Sequence, residues 1–129
     1  MAEKITVLVV DDDAELRELF EQGLELAGFE VYLAGDGPGG IEMAKEKRPT
    51  LIVLDVTMEP MNGLGALSEL KSCDETKDIP VFMLTGKSGM EDINRALEIG
   101  AVDYIIKPVE VMKLGPMLRE KLAKCQQKV

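Results

Sequence analysis

The sequence predicts a doubly wound α/β domain, a five-stranded parallel sheet with helices on both faces. Two observations carry this expectation. Five short apolar runs, Ile5 to Val10, Val31 to Ala34, Leu51 to Leu54, Pro80 to Leu84 and Val102 to Ile106, alternate with segments of helical period, the pattern of repeated βα units. Most of these runs do not alternate with polar residues, so both faces of the sheet must be covered, as they are when helices cross over a parallel sheet. The chain has 129 residues, enough for one domain, and no repeat, low-complexity tract or linker breaks the pattern. Residues 1–129 are expected to form a single unit.

Each element has local reasons. The first strand, Ile5 to Val10, stops at Asp11-Asp12-Asp13. The helix after it places Leu16, Leu19, Phe20, Leu24 and Ala27 on one stripe, and Gly28 sits where a left-handed cap closes a helix. Phe29-Glu30 starts the second strand. The second helix follows the Gly37-Pro38-Gly39-Gly40 turn, carries Ile41 and Ala44 inward, and is stopped early by Pro49. The third strand ends at Asp55, and a helix then runs from about Gly63 through Leu64, Leu67 and Leu70. The fourth strand ends at Thr85-Gly86, and its helix runs from about Met90 through Ile93, Ala96 and Leu97 to a stop at Gly100. The last helix spans roughly Glu110 to Gln126. Gly115-Pro116 falls inside it and either kinks it or makes Pro116 its first helical residue; the second reading is preferred.

Composition narrows the function. Fifteen Lys and Arg against 24 Asp and Glu give a net charge of −9, which argues against an electrostatic grip on nucleic acid or on an anionic membrane. The apolar stretches are strand-sized, and the N-terminus lacks the long apolar centre of a signal peptide, so a cytoplasmic protein is expected. Cys73 and Cys125 form no CxxC pair and there is no histidine, so both read as reduced packing residues rather than zinc ligands.

The informative feature is where the strands stop. In a doubly wound sheet of order 2-1-3-4-5, ligands bind beyond the carboxyl ends of strands 1 and 3, where the strand order reverses. That edge collects Asp11 and Asp12 from strand 1, Asp55 from strand 3, Thr85 from strand 4 and Lys107 from strand 5. Gathered carboxylates either bind a cation or repel one another. A carboxylate can also accept a phosphoryl group, whose oxygens a lysine ammonium and a threonine hydroxyl can hold.

On Val7-Leu8-Val9-Val10-Asp11-Asp12, Leu54-Asp55, Met83-Leu84-Thr85-Gly86 and Tyr104-Ile105-Ile106-Lys107-Pro108, the chain resembles the receiver domain of two-component response regulators over essentially its full length. The stand-alone chemotaxis-type regulator is the nearest pattern. The resemblance implies a flavodoxin-like fold with Asp55 as phosphoacceptor. It implies Mg²⁺ (or Mn²⁺) held by Asp12 and Asp55 directly, by Asp11 largely through water, and by the backbone carbonyl of Thr57. Thr85 would bond the phosphoryl group, Lys107 would pair with it, and Tyr104 would be the aromatic that turns inward as the threonine moves. The Lys107-Pro108 bond would be cis, an isomer that proline makes accessible. Implied partners are a sensor histidine kinase or phosphotransfer protein and a downstream protein effector, without direct nucleic acid or membrane binding. A homodimer through the face of helix 4, strand 5 and helix 5 belongs to the same set.

Three departures from the family pattern stand out. After the acceptor strand the family often reads Met-Pro-x-Met-Asp-Gly, where this chain has Met58-Glu59-Pro60-Met61-Asn62-Gly63. Thr57 and Lys87 occupy the variable positions with which the family sets phosphoryl lifetime. Val109 replaces an aromatic after Lys-Pro, and Gly115-Pro116 interrupts the last helix, so partner choice is the part the resemblance constrains least.

Simpler readings account for some of these residues. Asp12 with Glu15 at capping-box spacing explains one acid of the trio without a metal, and Asp13 reads as a cap or a solvated charge. Thr85-Gly86 alone is a turn, Lys107 alone a surface lysine and Tyr104 alone an edge aromatic. Lys113, Arg119, Lys121, Lys124 and Lys128 read as a solvated helix face. The eight methionines are scattered and read as core filling. A haloacid-dehalogenase-like phosphatase would read Asp11-x-Asp13, Leu84-Thr85-Gly86 and Lys107 as its motifs. It needs a further acidic motif well beyond its lysine, and of the 22 residues after Lys107 only Glu110 and Glu120 are acidic. A degenerate receiver serving as a scaffold is opposed by the intact set Asp11, Asp12, Asp55, Thr85 and Lys107.

Overall fold

Alternating residues of the buried strands face opposite layers, and this sorts the core in two. The computed structural model describes residues 4–56, 62–86 and 91–127. In chain order the elements are β1 (Thr6–Val10), α1 (Ala14–Leu26), β2 (Glu30–Ala34), α2 (Gly37–Lys47), β3 (Leu51–Asp55), α3 (Gly63–Ser72), β4 (Val81–Thr85), α4 (Ile93–Ile99), β5 (Asp103–Ile106) and α5 (Val111–Gln127). The strands pair in parallel in the order β2-β1-β3-β4-β5, as expected. Leu8, Val10, Ile52, Leu54, Val81 and Met83 point into the layer closed by Ile41, Ala44, Leu67, Leu70, Ile93 and Ala96. Val7, Val9, Leu51, Val53, Phe82 and Leu84 point into the layer closed by Phe20, Leu24, Leu114, Leu118 and Leu122. Both faces of β1, β3 and β4 are therefore dry, which is why those runs show no polar alternation. The edge strands β2 and β5 are only half-buried.

The caps bear out one local expectation, Asp13 as a cap, and correct another, the glycine-proline turn before α2. Asp13, not Asp12, caps α1, its carboxylate accepting from the amides of Glu15 at 3.1 Å and Leu16 at 3.2 Å. Gly37-Pro38-Gly39-Gly40 is the first turn of α2 rather than a turn before it: Asp36 caps the helix by accepting from Gly39 at 2.7 Å, and proline is tolerated in a first turn because its missing N–H has no partner there. The helix ends at Arg48, which takes a left-handed conformation (φ 45°) before Pro49. Asn62 caps α3, accepting from Gly65 at 2.9 Å, so asparagine in place of the family's aspartate keeps a capping side chain. Met90, the expected start of α4, lies outside the described residues; the helix itself runs Ile93–Ile99, with Leu97 exposed.

The Gly115-Pro116 expectation is also corrected: α5 begins at Val111 and contains Pro116. A proline there deletes one intrahelical bond near the helix start. Gly115 has a packing role. A Cβ on it would lie 2.4 Å from Ala27 Cβ, so glycine is what allows α5 to close on the end of α1. Gly23 does the same from the other side, where a Cβ would meet Val111 at 2.2 Å. The basic residues of α5 also do more than face solvent. Arg119 donates to the Ala27 carbonyl at 2.6 Å and lies over the Phe29 ring at 4.5 Å, and Lys121 pairs with Asp103 of β5. Lys113 pairs with Glu110 just before the helix and Lys124 with Glu120 within it, both at exposed positions. Cys73 and Cys125 are free thiols, each half-buried. Among the described residues no helix is long and apolar enough to cross a membrane.

Candidate functional site

The switch in strand order falls between β1 and β3, whose registers pair Val10 with Leu54. The next residue on each strand is an aspartate, so Asp11 and Asp55 come side by side at the carboxyl edge. β4 and β5 complete that edge: Thr85 ends β4, and its carbonyl accepts from the Lys107 amide at 2.7 Å just beyond β5.

Asp11, Asp12 and Asp55 each offer a carboxylate oxygen within 4.8 Å of the others. Asp11 is fully buried and Asp55 almost so, while Asp12 is exposed. The ammonium of Lys107 lies between the two buried acids, 3.4 Å from Asp11 Oδ2 and 3.3 Å from Asp55 Oδ2. Burial of that ammonium works against its charge, but the Asp11 and Asp55 carboxylates outweigh it, and the Lys107 pKa is raised above the ordinary lysine value. Asp11 is held from several sides. Its amide donates to the Ala34 carbonyl at 3.1 Å, its carbonyl accepts from Arg17 Nη1 at 2.7 Å and its Oδ1 accepts from the Asp13 amide at 3.0 Å.

Among the described residues Asp11 Oδ2 is buried without a hydrogen-bond partner, its charge offset by the ion pair with Lys107. Three hard oxygen donors, one of them lacking a hydrogen bond, fit the needs of a small divalent cation, which takes one or two carboxylates and keeps positions for water and phosphoryl oxygens. Thr57, whose carbonyl the resemblance adds to the ligands, lies outside the described residues, as do Lys87 and the Met58 to Met61 stretch of the departing loop.

Thr85 is buried at the same edge, its hydroxyl donating to the Gly86 carbonyl at 2.9 Å. Tyr104, paired in register with Met83, is half-buried against the apolar layer on the α3 and α4 side. The Lys107-Pro108 peptide bond is cis. Asp13 takes no part in the cluster.

Two residues at this edge escaped the reading of the sequence. A Cβ on Gly63 would lie 2.2 Å from the Asp55 carbonyl oxygen, so α3 starts in contact with the backbone of the acceptor strand. Its signal was a glycine at a helix start, directly after an asparagine cap. Arg17 was the other; its signal was a cation in the first half of a helix, against the dipole.

The response regulator receiver domain family matches residues 7–119 of the chain. The chain is 42% identical over 108 residues, 84% of its length, to the transcriptional regulatory protein PrrA of Mycobacterium tuberculosis, of which the match covers 46%. It is 37% identical over 120 residues to the probable transcriptional regulator ycf27 of Porphyridium aerugineum, covering 93% of this chain and 49% of that one. The chain thus spans about half the length of the curated relatives it matches. Among solved structures, a CheY-like receiver domain protein from Methanospirillum hungatei superposes with a TM-score of 0.88 at 27% identity, over 98% of this chain and 100% of the other. The Vibrio cholerae chemotaxis protein CheY4 gives 0.85 at 29%, over 92% and 98%. With its sheet order, its acidic edge and these matches, the chain belongs to the response regulator receiver domain family of two-component signalling.

Proposed function

We propose that this chain is a phosphorylation-operated switch in which Asp55 accepts a phosphoryl group from a partner histidine kinase or phosphotransfer protein. The observation that carries the reading is the Lys107 ammonium set between Asp11 and Asp55, with the Asp12 carboxylate alongside. Asp11, Asp12, Asp55 and the Thr57 carbonyl would hold Mg²⁺ or Mn²⁺. When bound, such a cation supplies positive charge to the gathered carboxylates and to phosphoryl oxygens. A carboxylate oxygen of Asp55 attacks phosphorus; the O–P bond forms as the donor's N–P bond breaks, and the electron pair leaves with the imidazole nitrogen, which takes up a proton. Lys107 pairs with the phosphoryl oxygens. Thr85 exchanges its bond to the Gly86 carbonyl for one to the phosphoryl group, and Tyr104 turns into the space the threonine vacates.

The added charge of nearly two units shifts a pre-existing equilibrium between conformations, and the output is a changed protein-binding face. The face of α4, β5 and α5 suits a protein effector or a second copy, since β5 is an edge strand and Leu97, Val102 and Ile106 are exposed there. We assign the chain a cytoplasmic, non-enzymatic role. No nucleic-acid contact is proposed for this segment, whose net charge is −9.

Incubation with Mg²⁺ and a small phosphodonor tests the reading: mass spectrometry should find one phosphoryl group per chain, after which donor consumption should only keep pace with the loss of that group. Sustained turnover of a phosphate ester would favour the phosphatase instead. In calorimetric titrations Asp12→Ala should weaken Mg²⁺ binding by roughly tenfold or more, and Asp13→Ala by far less, since Asp13 caps α1 outside the cluster. Equal losses in the two variants would count against this ligand set.

A further inference from the structure

Arg17 reaches from α1 to the acidic edge, and the geometry points to it as the residue that positions Asp11 and Asp12 for the cation. We infer that its guanidinium sets the plane of the peptide joining these two acids. This inference rests on the divalent-cation reading above.

A helical side chain leans toward the N-terminus of its helix, and Arg17, one turn into α1, leans back over the strand end. Its Nη1 donates to the Asp11 carbonyl at 2.7 Å. That carbonyl belongs to the same peptide unit as the Asp12 amide, so the bond fixes the direction in which Asp12 leaves the strand. Fixed by the Ala34 carbonyl, Arg17 and the Asp13 amide, Asp11 keeps Oδ2 turned toward Lys107.

Gly35 seats the guanidinium. A Cβ there would lie 3.0 Å from Nη1, 3.4 Å from Cζ and 3.6 Å from Nη2. Gly35 is not among the positive-φ glycines, so a Cβ there would press on the guanidinium and displace it by a few tenths of an ångström rather than strain the backbone.

Charge and position predict opposite signs, which makes the inference testable. As a cation near three carboxylates, Arg17 would oppose Mg²⁺, and removing it would tighten binding. As a positioning residue, it would weaken binding when removed, on the scale of outer-shell partners, roughly tenfold.

Calorimetric Mg²⁺ titration of the folded proteins, with unfolding followed separately in Mg²⁺-free buffer, distinguishes these. Arg17→Gln and Gly35→Ala should each raise the Mg²⁺ dissociation constant, Arg17→Lys should recover part of the loss, and the double variant Arg17→Gln with Gly35→Ala should be no weaker than Arg17→Gln alone. Gly35→Ala keeps the test available if Arg17→Gln does not fold. Unchanged or tighter binding in either single variant, additive losses in the double, or no recovery with lysine would overturn the inference. Absence of Mg²⁺ binding in the unsubstituted protein would instead overturn the cation reading itself.

Discussion

Asp55→Asn is expected to take up no phosphoryl label from a small phosphodonor in Mg²⁺, a loss on the order of a hundredfold or more. The amide has the shape of the carboxylate but neither its charge nor its nucleophilic oxygen, so the chemistry should vanish while the fold persists. Lys107 still has Asp11 to pair with, and the Val10–Leu54 register that brings β1 and β3 together does not depend on the Asp55 charge. Labelling read by intact mass, with circular dichroism confirming the fold, checks this. Uptake at the unsubstituted level would mean that another residue is the acceptor.

Lys107→Ala is expected to lower the unfolding free energy in Mg²⁺-free buffer. Removing the ammonium leaves the buried carboxylates of Asp11 and Asp55 facing each other. Breaking a fully buried pair costs about 3–5 kcal/mol. The Lys107 side chain keeps 28% of its exposure, so solvent screens part of this and about 2 kcal/mol is expected. The pH dependence has a defined sign. Because the Lys107 pKa is raised in the folded protein, the folded state holds that proton more tightly than the unfolded chain. The contribution is complete below lysine's ordinary value of about 10.4 and is lost as pH rises through the higher folded value. Urea unfolding of both proteins near neutral pH and in strong alkali should therefore show a gap that closes as pH rises. A gap of the same size at both would remove Lys107 from this role. Mg²⁺ should also narrow the gap, since a bound cation would supply the charge the variant lacks.

Much of this molecule was legible because its signals are local. Strand ends were readable at Asp11 and Asp55, where an apolar run meets an acid, and the stops at Gly28 and Gly100 were readable because both glycines take positive φ, 94° and 139°. The first turn of α2 was misread because glycine and proline signal a break, whereas an Asp36 cap turns the same residues into a helix start. Asp12 and Asp13 were harder to separate, since both stand at plausible capping distance; only the backbone path past β1 sends Asp13 to the helix amides and Asp12 to the cluster.

By itself, the sequence determined the alternation of strand and helix, the two dry faces of the parallel sheet, and the five residues that the strand ends present together. These follow from hydrophobic period and from residues immediately after apolar runs, both read along the chain. Only the tertiary structure decided that α5 closes on Ala27 at Gly115, that Gly63 starts α3 against the Asp55 carbonyl, and that Arg17 rests on Gly35 while holding the Asp11 carbonyl. The physical reason is shared by all three. Each depends on how closely two separate elements approach, and the missing Cβ of a glycine sets that distance without leaving a period in the sequence.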